Sequence, residues 1–347
     1  MYIKRILGII VLLGIIGGGL FAAMVYRTFF NANTAFTEET VYVYVPTDAS
    51  YAAVLEQLQP LLKDSDAFDA VARRKGYADR VRPGRYPLER GMNNNEIVNA
   101  LRSRNTPLTV SFNNQERLED LAGRIGAQIE ADSASLLQAM TDPEFLKARG
   151  WTQDQALLPY LPNSYEFYWN TDAEAFRDRM LKEYDRYWTE ERKQLARAQG
   201  LTPEQAIALA AVVHKETARP EERPRVAGVY LNRLKQGIPL QADPTVIFAI
   251  KKTTGRWDTV IKRVLYKDLE LDSPYNTYMH KGVPPGPIFM PDLSAVNAVL
   301  RPERHNYLFF VADVENFGYH IFAETLAQHN RNKAQYIRWI DQQNIRR

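Results

Sequence analysis

Thr202–Val246 reads TPEQAIALAAVVHKETARPEERPRVAGVYLNRLKQGIPLQADPTV. It decides the fold, because it sets three helices in a row through two tight junctions. Thr202 stands three residues before Gln205 and is followed by Pro203, a capping box with proline at the first helical position, so a helix starts there. It stops before Pro220. Between these signals Ile207, Ala208, Leu209, Ala210, Ala211, Val212 and Val213 are apolar nearly all round, as in a helix buried inside a domain. Glu216 lies in the last turn of that helix. There the helix dipole presents its negative end and an apolar wall adds a desolvation cost, so both effects favour the protonated acid and raise its pKa. A general acid needs that property.

The next helix is expected from about Arg225 to Lys235, with Val226, Val229, Tyr230 and Leu234 at helical spacing and Gly237 as its C-terminal cap. It projects Asn232 and Arg233. Gln241-Ala242-Asp243-Pro244-Thr245 then opens a third helix, with Asp243 as cap and Pro244 at the first position. The two junctions put Glu216, Glu222, Gln241 and Asp243 within reach of one cleft. A glutamate near a helix end is more often a solvated charge than a catalytic group, so its setting has to carry the assignment.

The chain has 347 residues, 45% hydrophobic and 24% charged, an ordinary globular composition apart from one segment. Ile6–Tyr26 is uncharged, bounded by Lys4-Arg5 and Arg27, and long enough to cross about 30 Å of hydrocarbon as a helix. A signal peptide is the competing reading. The apolar run is longer than the usual signal core, and no clean small-x-small cleavage site follows it, Ala22-Ala23 being the nearest approach. The charge bias puts the short N-terminus in the cytoplasm and the bulk of the chain outside it. Setting aside Lys4, Arg5 and Arg27, the 44 basic residues fall to 41, against 41 acidic ones. That neutral balance argues against a nucleic-acid partner, whose binding leans on a basic surface. With no cysteine, disulfides and Cys-based zinc sites are excluded.

Residues 1–28 are thus expected to hold the cytoplasmic N-terminus and a transmembrane helix, and the polar stretch 29–40 to form a tether. Residues 41–112 follow as a small α+β module, read as strand 41–45, helices near 51–62 and 67–75, a strand after Pro83-Gly84, a helix 93–102 and a strand 108–112. Residues 113–347 make a mainly helical domain. Within it 116–148 is helical with interruptions, 157–169 is rich in rings and turns, and a capping box at Thr171 and Glu174 opens one long helix that Gly200 ends. Phe176, Met180, Tyr184, Tyr187, Trp188 and Leu195 share a side of it as core. Tyr165, Tyr168 and Trp169 suit packing better than a sugar platform. The Pro- and Gly-rich run 273–288 forms a loop wall that can hold Asn276 and Tyr278 rigidly. Segments 307–313 and 318–324 read as a hairpin, and 331–345 as a closing helix.

The stretches HKETARPEERPRVAGVYLNRL, LQADPTVIFAI, YNTYMHKGVPPGPI, YLFFVAD and GYHIFAETLAQHN resemble the MltG/YceG-like family of endolytic murein transglycosylases over nearly the whole chain. The resemblance implies an α+β architecture: membrane helix, LysM-like module, and helical catalytic domain with a β-hairpin. It implies that the glutamate of the KET tripeptide, Glu216, is the catalytic acid, that Glu222 matches a family glutamate, and that His320 and His329 match structural or cleft-lining positions. It further implies peptidoglycan strands as substrate, peptidoglycan synthases as neighbours, and an inner-membrane location with the catalytic domain outside the cytoplasm.

Glycosidic cleavage usually takes two carboxylates, whereas a lytic transglycosylase can use one. Its acid protonates the bond and then, as a carboxylate, takes a proton from the 6-hydroxyl of the same N-acetylmuramyl ring. Glu216 fits that double duty, with Gln241, Asn276 and Tyr278 as candidates to bind N-acetyl and hydroxyl groups. Glu222 joins them as a candidate substrate-binding residue, and it is also read as tuning Glu216 by like charge or as pairing with Arg223 or Arg225. His214, His280, His305, His320 and His329 show no H-E-x-x-H or comparable ligand spacing, and no G-x-S-x-G occurs. Neither a metal nor an organic cofactor is expected. Two alternatives stay open: a membrane-tethered peptidoglycan-binding scaffold, and a lysozyme-like hydrolase using a second carboxylate.

Overall fold

The computed structural model describes residues 2–261 and 263–342. The fold is mixed α/β and mostly helical, and its sheets are small, each of two strands. The chain divides into two compact units: one holds the residues up to Val110 together with 128–131 and 165–172, the other holds the rest.

The first unit opens with α1 (Tyr2–Phe30), whose side chains between its ends are exposed. It is long and apolar enough to cross a membrane. β1 (Thr40–Val45), α2 (Tyr51–Leu58), α3 (Ser65–Arg74), β2 (Gly84–Glu89) and α4 (Asn94–Ser103) follow. β1 and β2 pair antiparallel, Val43 opposite Tyr86 and Val45 opposite Gly84. Each strand alternates, so Val43, Val45, Tyr86 and Leu88 meet Phe68, Val71, Ile97 and Leu101 in one core. Asn93 starts α4 with a capping box to Glu96. The polar stretch 29–40 is pinned to this unit. Asn33 and Thr34 are 5% and 4% exposed, and the Asn33 amide donates to Asn94 at 2.6 Å and to the Asp64 carbonyl at 2.7 Å. A stretch without periodicity can still be ordered when its polar side chains replace missing backbone partners, as the Asn33 side chain does by also accepting from the Asp64 N–H at 2.8 Å.

The next elements are β3 (Pro107–Phe112), α5 (Leu118–Gly126), α6 (Ser133–Met140), α7 (Pro143–Ala148) and β4 (Asn163–Tyr168). β3 and β4 form the second small sheet, and the division between the units falls within both strands. The second unit continues through α8 (Ala173–Tyr187), α9 (Glu190–Ala198), α10 (Pro203–Glu216), α11 (Arg223–Lys235), α12 (Asp243–Thr254), α13 (Leu293–Leu300), β5 (Phe309–Ala312), β6 (His320–Ala323) and α14 (Leu326–Gln342). The long helix expected between Thr171 and Gly200 is two helices. Thr189 takes an extended backbone and its hydroxyl accepts from the Arg192 N–H at 3.3 Å, capping α9, while Thr171 donates its hydroxyl to the Tyr168 carbonyl. A threonine offering the backbone a local partner breaks a helix that hydrophobic spacing alone would continue. The closing helix begins at Leu326, before the expected start, and residues 343–345 lie outside the described ones.

α10 is the axis of the second unit. Its residues from Ala206 to Val213 are all buried, and it packs against α9, α11, α12 and α13. Burying each branched side chain there contributes about 1.5–3 kcal/mol relative to exposure. The capping box of Thr202 and Gln205 starts the helix as its sequence dictates. The opposite end stops at Glu216, because Thr217 turns extended (φ −137°, ψ 131°) ahead of Pro220.

Candidate active site

Glu216 is thus the last residue of a helix sheathed in apolar side chains. The residue is partly exposed, and burial of its carboxyl beside the apolar helix is the largest influence on it. Burial, reinforced by the negative charge of Asp243, pushes the Glu216 carboxyl up to about 7 against a hydrogen bond that pulls it down. That bond comes from Tyr230 on α11, whose hydroxyl donates to Glu216 Oε1 at 2.7 Å. Burial and the neighbouring Glu216 hold the Tyr230 phenol well above its usual value, so it stays a donor. Oε2 has no protein partner among the described residues. With Oε1 accepting from Tyr230, Oε2 is the oxygen that can carry the acid proton outward.

The second junction, between α11 and α12, brings further polar groups to the same place. α12 begins at Asp243 itself, one residue before the expected first position, and Asp243 does not cap the helix through its side chain. Its carboxylate instead accepts from the Tyr278 hydroxyl at 2.7 Å. Burial, then the bond to Asp243, raises the Tyr278 phenol, and Glu216 contributes in the same direction. Gln241 is the one residue other than glycine with a left-handed backbone among those described (φ 52°). Its N–H donates to the Thr277 carbonyl at 3.1 Å and its Oε1 accepts from Arg233 Nη2 at 2.6 Å. Gly237 (φ 66°) ends α11 as the sequence indicates.

Two of the remaining expected residues are placed differently from this group. Asn276 is fully buried. Its amide donates to the carbonyls of Leu269 and Leu271 at 2.9 and 2.8 Å and its Oδ1 accepts from the Tyr278 N–H at 3.0 Å, so its polar atoms are spent on shaping the loop. Glu222, 5% exposed, pairs with neither Arg223 nor Arg225: both its oxygens accept from His320, one from the backbone N–H and one from Nδ1, each at 2.8 Å. Arg223 binds Asp292 and Ser294, and Arg225 binds Glu303. Local charge order suggested the arginines, but hairpin β5–β6 brings a residue 98 positions away with a better-shaped pair of donors. His329 stacks on Phe309 at 5.2 Å. Tyr165, Tyr168 and Trp169 belong to the other unit. Among the described residues no group of three or more His, Asp or Glu is placed to hold a metal ion.

The sequence named Tyr230 as a core position, Arg233 as projecting from its helix and His320 as structural or cleft-lining, but not their contacts with Glu216, Gln241 and Glu222. For Tyr230 a signal existed: a tyrosine on the buried face of a helix needs a partner for its hydroxyl, and Glu216 was the unpaired group nearby.

A profile of the YceG-like family matches residues 43–335. The chain belongs to the YceG-like family. Its similarity extends to a Bacillus subtilis protein named endolytic murein transglycosylase, 30% identical over 320 residues that cover 87% of this chain and 86% of that one. A Streptococcus pneumoniae protein of the same name is 27% identical over 305 residues, 80% of this chain. This YceG-like chain spans about half the length of that relative, 54%. Among solved structures, a YceG-like protein from Listeria monocytogenes superposes with a TM-score of 0.55 at 28% identity, covering 85% of this chain and 99% of that one.

Proposed function

We propose that the chain is a membrane-anchored endolytic murein transglycosylase in which Glu216 alone serves as acid and then base. The observation that carries this is the Glu216 carboxyl: placed at the end of an apolar helix, fixed at Oε1 by Tyr230, and pushed up to about 7 by burial. Relatives that share most of the chain carry the matching name. Glu216 Oε2–H gives its proton to the glycosidic oxygen between N-acetylmuramic acid and N-acetylglucosamine as the bond from that oxygen to the anomeric carbon breaks. The 6-hydroxyl oxygen of the same N-acetylmuramyl ring bonds to the anomeric carbon, and its proton returns to Glu216. No water is consumed, and a 1,6-anhydro end results. Tyr278, Gln241 and Asp243 line the same group and suit the binding of sugar hydroxyl and acetamido groups. The part we assign to Asn276 is to hold the loop that carries Tyr278, and to Glu222 to hold the hairpin through His320.

The second carboxylate that acts on Glu216, Asp243, keeps a hydrolase in play, since it could activate water instead. Mass spectrometry of peptidoglycan digested by the purified protein separates the two: anhydro-ended fragments are expected, lighter by one water than reducing-end products. Glu216→Gln should lower cleavage by about 100-fold or more with the fold intact. Reducing-end products would overturn the lytic assignment, and undiminished cleavage by the glutamine variant would overturn the role of Glu216.

In the first unit we read the module of β1, β2 and α2–α4 as LysM-like and glycan-holding. The same digest run with a chain lacking residues 41–108 is expected to keep anhydro products while retention on insoluble peptidoglycan falls. Unchanged retention would leave the module a spacer. We read α1 as a span with the rest outside the cytoplasm beside peptidoglycan synthases, where nascent strands emerge.

A further inference from the structure

Gln241 has a feature that binding in general does not require. Its amide is oriented from below by a buried arginine: Arg233, 7% exposed, donates through Nε to the Pro239 carbonyl (2.9 Å), through Nη1 to the Leu308 carbonyl (3.0 Å) and through Nη2 to Gln241 Oε1 (2.6 Å). A guanidinium has donors and no acceptor. The amide cannot flip without setting its NH2 against Arg233, so the oxygen is committed to the protein and the two N–H groups are left over. Nε2 has no partner among the described residues, and the Gln241 residue is exposed. The backbone beneath it is left-handed (φ 52°), a conformation that glycine or asparagine adopts more cheaply. A long amide placed there at such a cost is accounted for by what its side chain does. Asp243, two residues on, accepts from the Tyr278 hydroxyl, and Arg233 lies one turn along α11 from Tyr230, whose hydroxyl donates to Glu216, which puts the locked amide in the group around the acid.

We propose that Arg233 and Gln241 together form a donor-only reader of the substrate's acetamido carbonyl, so that the enzyme selects N-acetylated glycan and rejects strands whose hexosamine nitrogen has lost its acetyl group. An acetamido group offers the amide N–H groups a carbonyl oxygen. A free hexosamine is an ammonium near neutral pH, has donors only, and would face the N–H groups of Gln241 with the Arg233 charge behind them. A site built to bond a substrate group rejects the analogue lacking it, because its own polar atoms are then left unpaired. Arg233 is a positioning residue in this scheme; Gln241 makes the contact. The inference rests on the reading of Glu216 as the catalytic acid.

The test uses the full-length protein in detergent, with purified glycan strands before and after enzymatic N-deacetylation as the two substrates. Wild type is expected to favour the acetylated strands at least tenfold in kcat/KM. Gln241→Glu, which replaces the outward N–H groups by a carboxylate oxygen and keeps an acceptor for Arg233, should shrink or invert that ratio. Arg233→Met should release the amide to flip and lower the ratio mainly through KM. Equal cleavage of both substrates by wild type, or a wild-type ratio in Gln241→Glu with its circular dichroism unchanged, would sink the inference. Glu216→Gln run alongside keeps the two ideas apart: if it still cleaves acetylated strands, the functional reading has failed, whatever the ratio.

Discussion

Glu216 is held between opposed influences of unequal size: burial and the Asp243 charge raise its pKa, and the Tyr230 hydroxyl lowers it. The acid form is therefore present below about 7 and lost as pH rises through that value. Activity should fall on the alkaline side with that midpoint. Tyr230→Phe removes the one influence that stabilises the carboxylate, so the midpoint must move up. A hydrogen bond to a charged group is worth about 1.5–3 kcal/mol and a pKa unit about 1.4 kcal/mol, and screening at a partly exposed residue reduces this, so a rise of about half to one unit is expected. Maximal kcat should fall as well, since the proton is no longer confined to Oε2. A pH–rate profile of the variant checks this, and a midpoint that stays or moves down rules out the Tyr230 bond as the tuning contact. The position of Glu216 was legible in the sequence, because a capping box and a proline bracket its helix. The direction of the Tyr230 hydroxyl was not: helical spacing says which face a residue occupies, not which atom its polar tip meets. The Glu222–His320 pair was further from reach, since it depends on how the hairpin folds back over α11.

At the scale of elements, α11 contains a glycine where propensity alone would disfavour one. Gly228 lies in the middle of the helix, and a Cβ there would come within 2.5 Å of His305 Nε2 and 2.7 Å of the Glu303 carbonyl oxygen. The segment after α13 crosses the helix at this point. His305 Nε2 lies 2.9 Å from the Arg225 carbonyl, and Asn232 Nδ2 donates to the carbonyls of His305 and Tyr307 at 2.8 and 3.1 Å. A carbonyl only accepts, so Nε2 carries the ring proton, while Nδ1 accepts from the Tyr307 N–H at 3.1 Å. Gly228→Ala should gain about 1 kcal/mol in helix propensity and lose more by forcing this crossing apart. The net expectation is a destabilisation of about 1–3 kcal/mol, within the usual range for overpacking. Gly123→Ala in α5, where a Cβ meets nothing within 4 Å, should be neutral or stabilising. Denaturant midpoints of the two variants make the comparison, and equal effects would show that close approach is not why α11 keeps its glycine. Strong periodic helices were readable in the sequence. The break between α8 and α9 was hidden because Tyr184, Trp188 and Leu195 keep helical spacing across a threonine that caps instead of continuing.

Over the whole molecule, α1 contrasts with everything after it, and the proposed function depends on what that helix does. A soluble helix buries one stripe, yet α1 buries none of its residues while carrying leucine, isoleucine and valine all round. Such a helix is long and apolar enough to cross a membrane. Lys4 and Arg5 precede the apolar run and Arg27 follows it, so the bias favours a cytoplasmic N-terminus, and the formally neutral remainder presents no excess of positive charge to hinder export. The end of α1 is also tied to the rest of its own unit, Asn94 Nδ2 donating to the Thr28 carbonyl at 2.8 Å, with Asn33 and Thr34 buried just beyond. Cleavage after Ala23 would leave that tie intact but free the protein from the membrane, so retention distinguishes an anchor from a removable signal. The expected result is that the chain sediments with membranes, resists carbonate extraction and is released by detergent, and that a reporter fused after residue 40 is active only outside the cytoplasm. A soluble mature form that has lost the apolar run, by cleavage after Ala23 or anywhere up to residue 28, would make α1 a signal peptide, and a reporter active only inside would reverse the orientation. In the second case the Glu216 site would face a compartment without peptidoglycan, and the function proposed for it would fail with the topology.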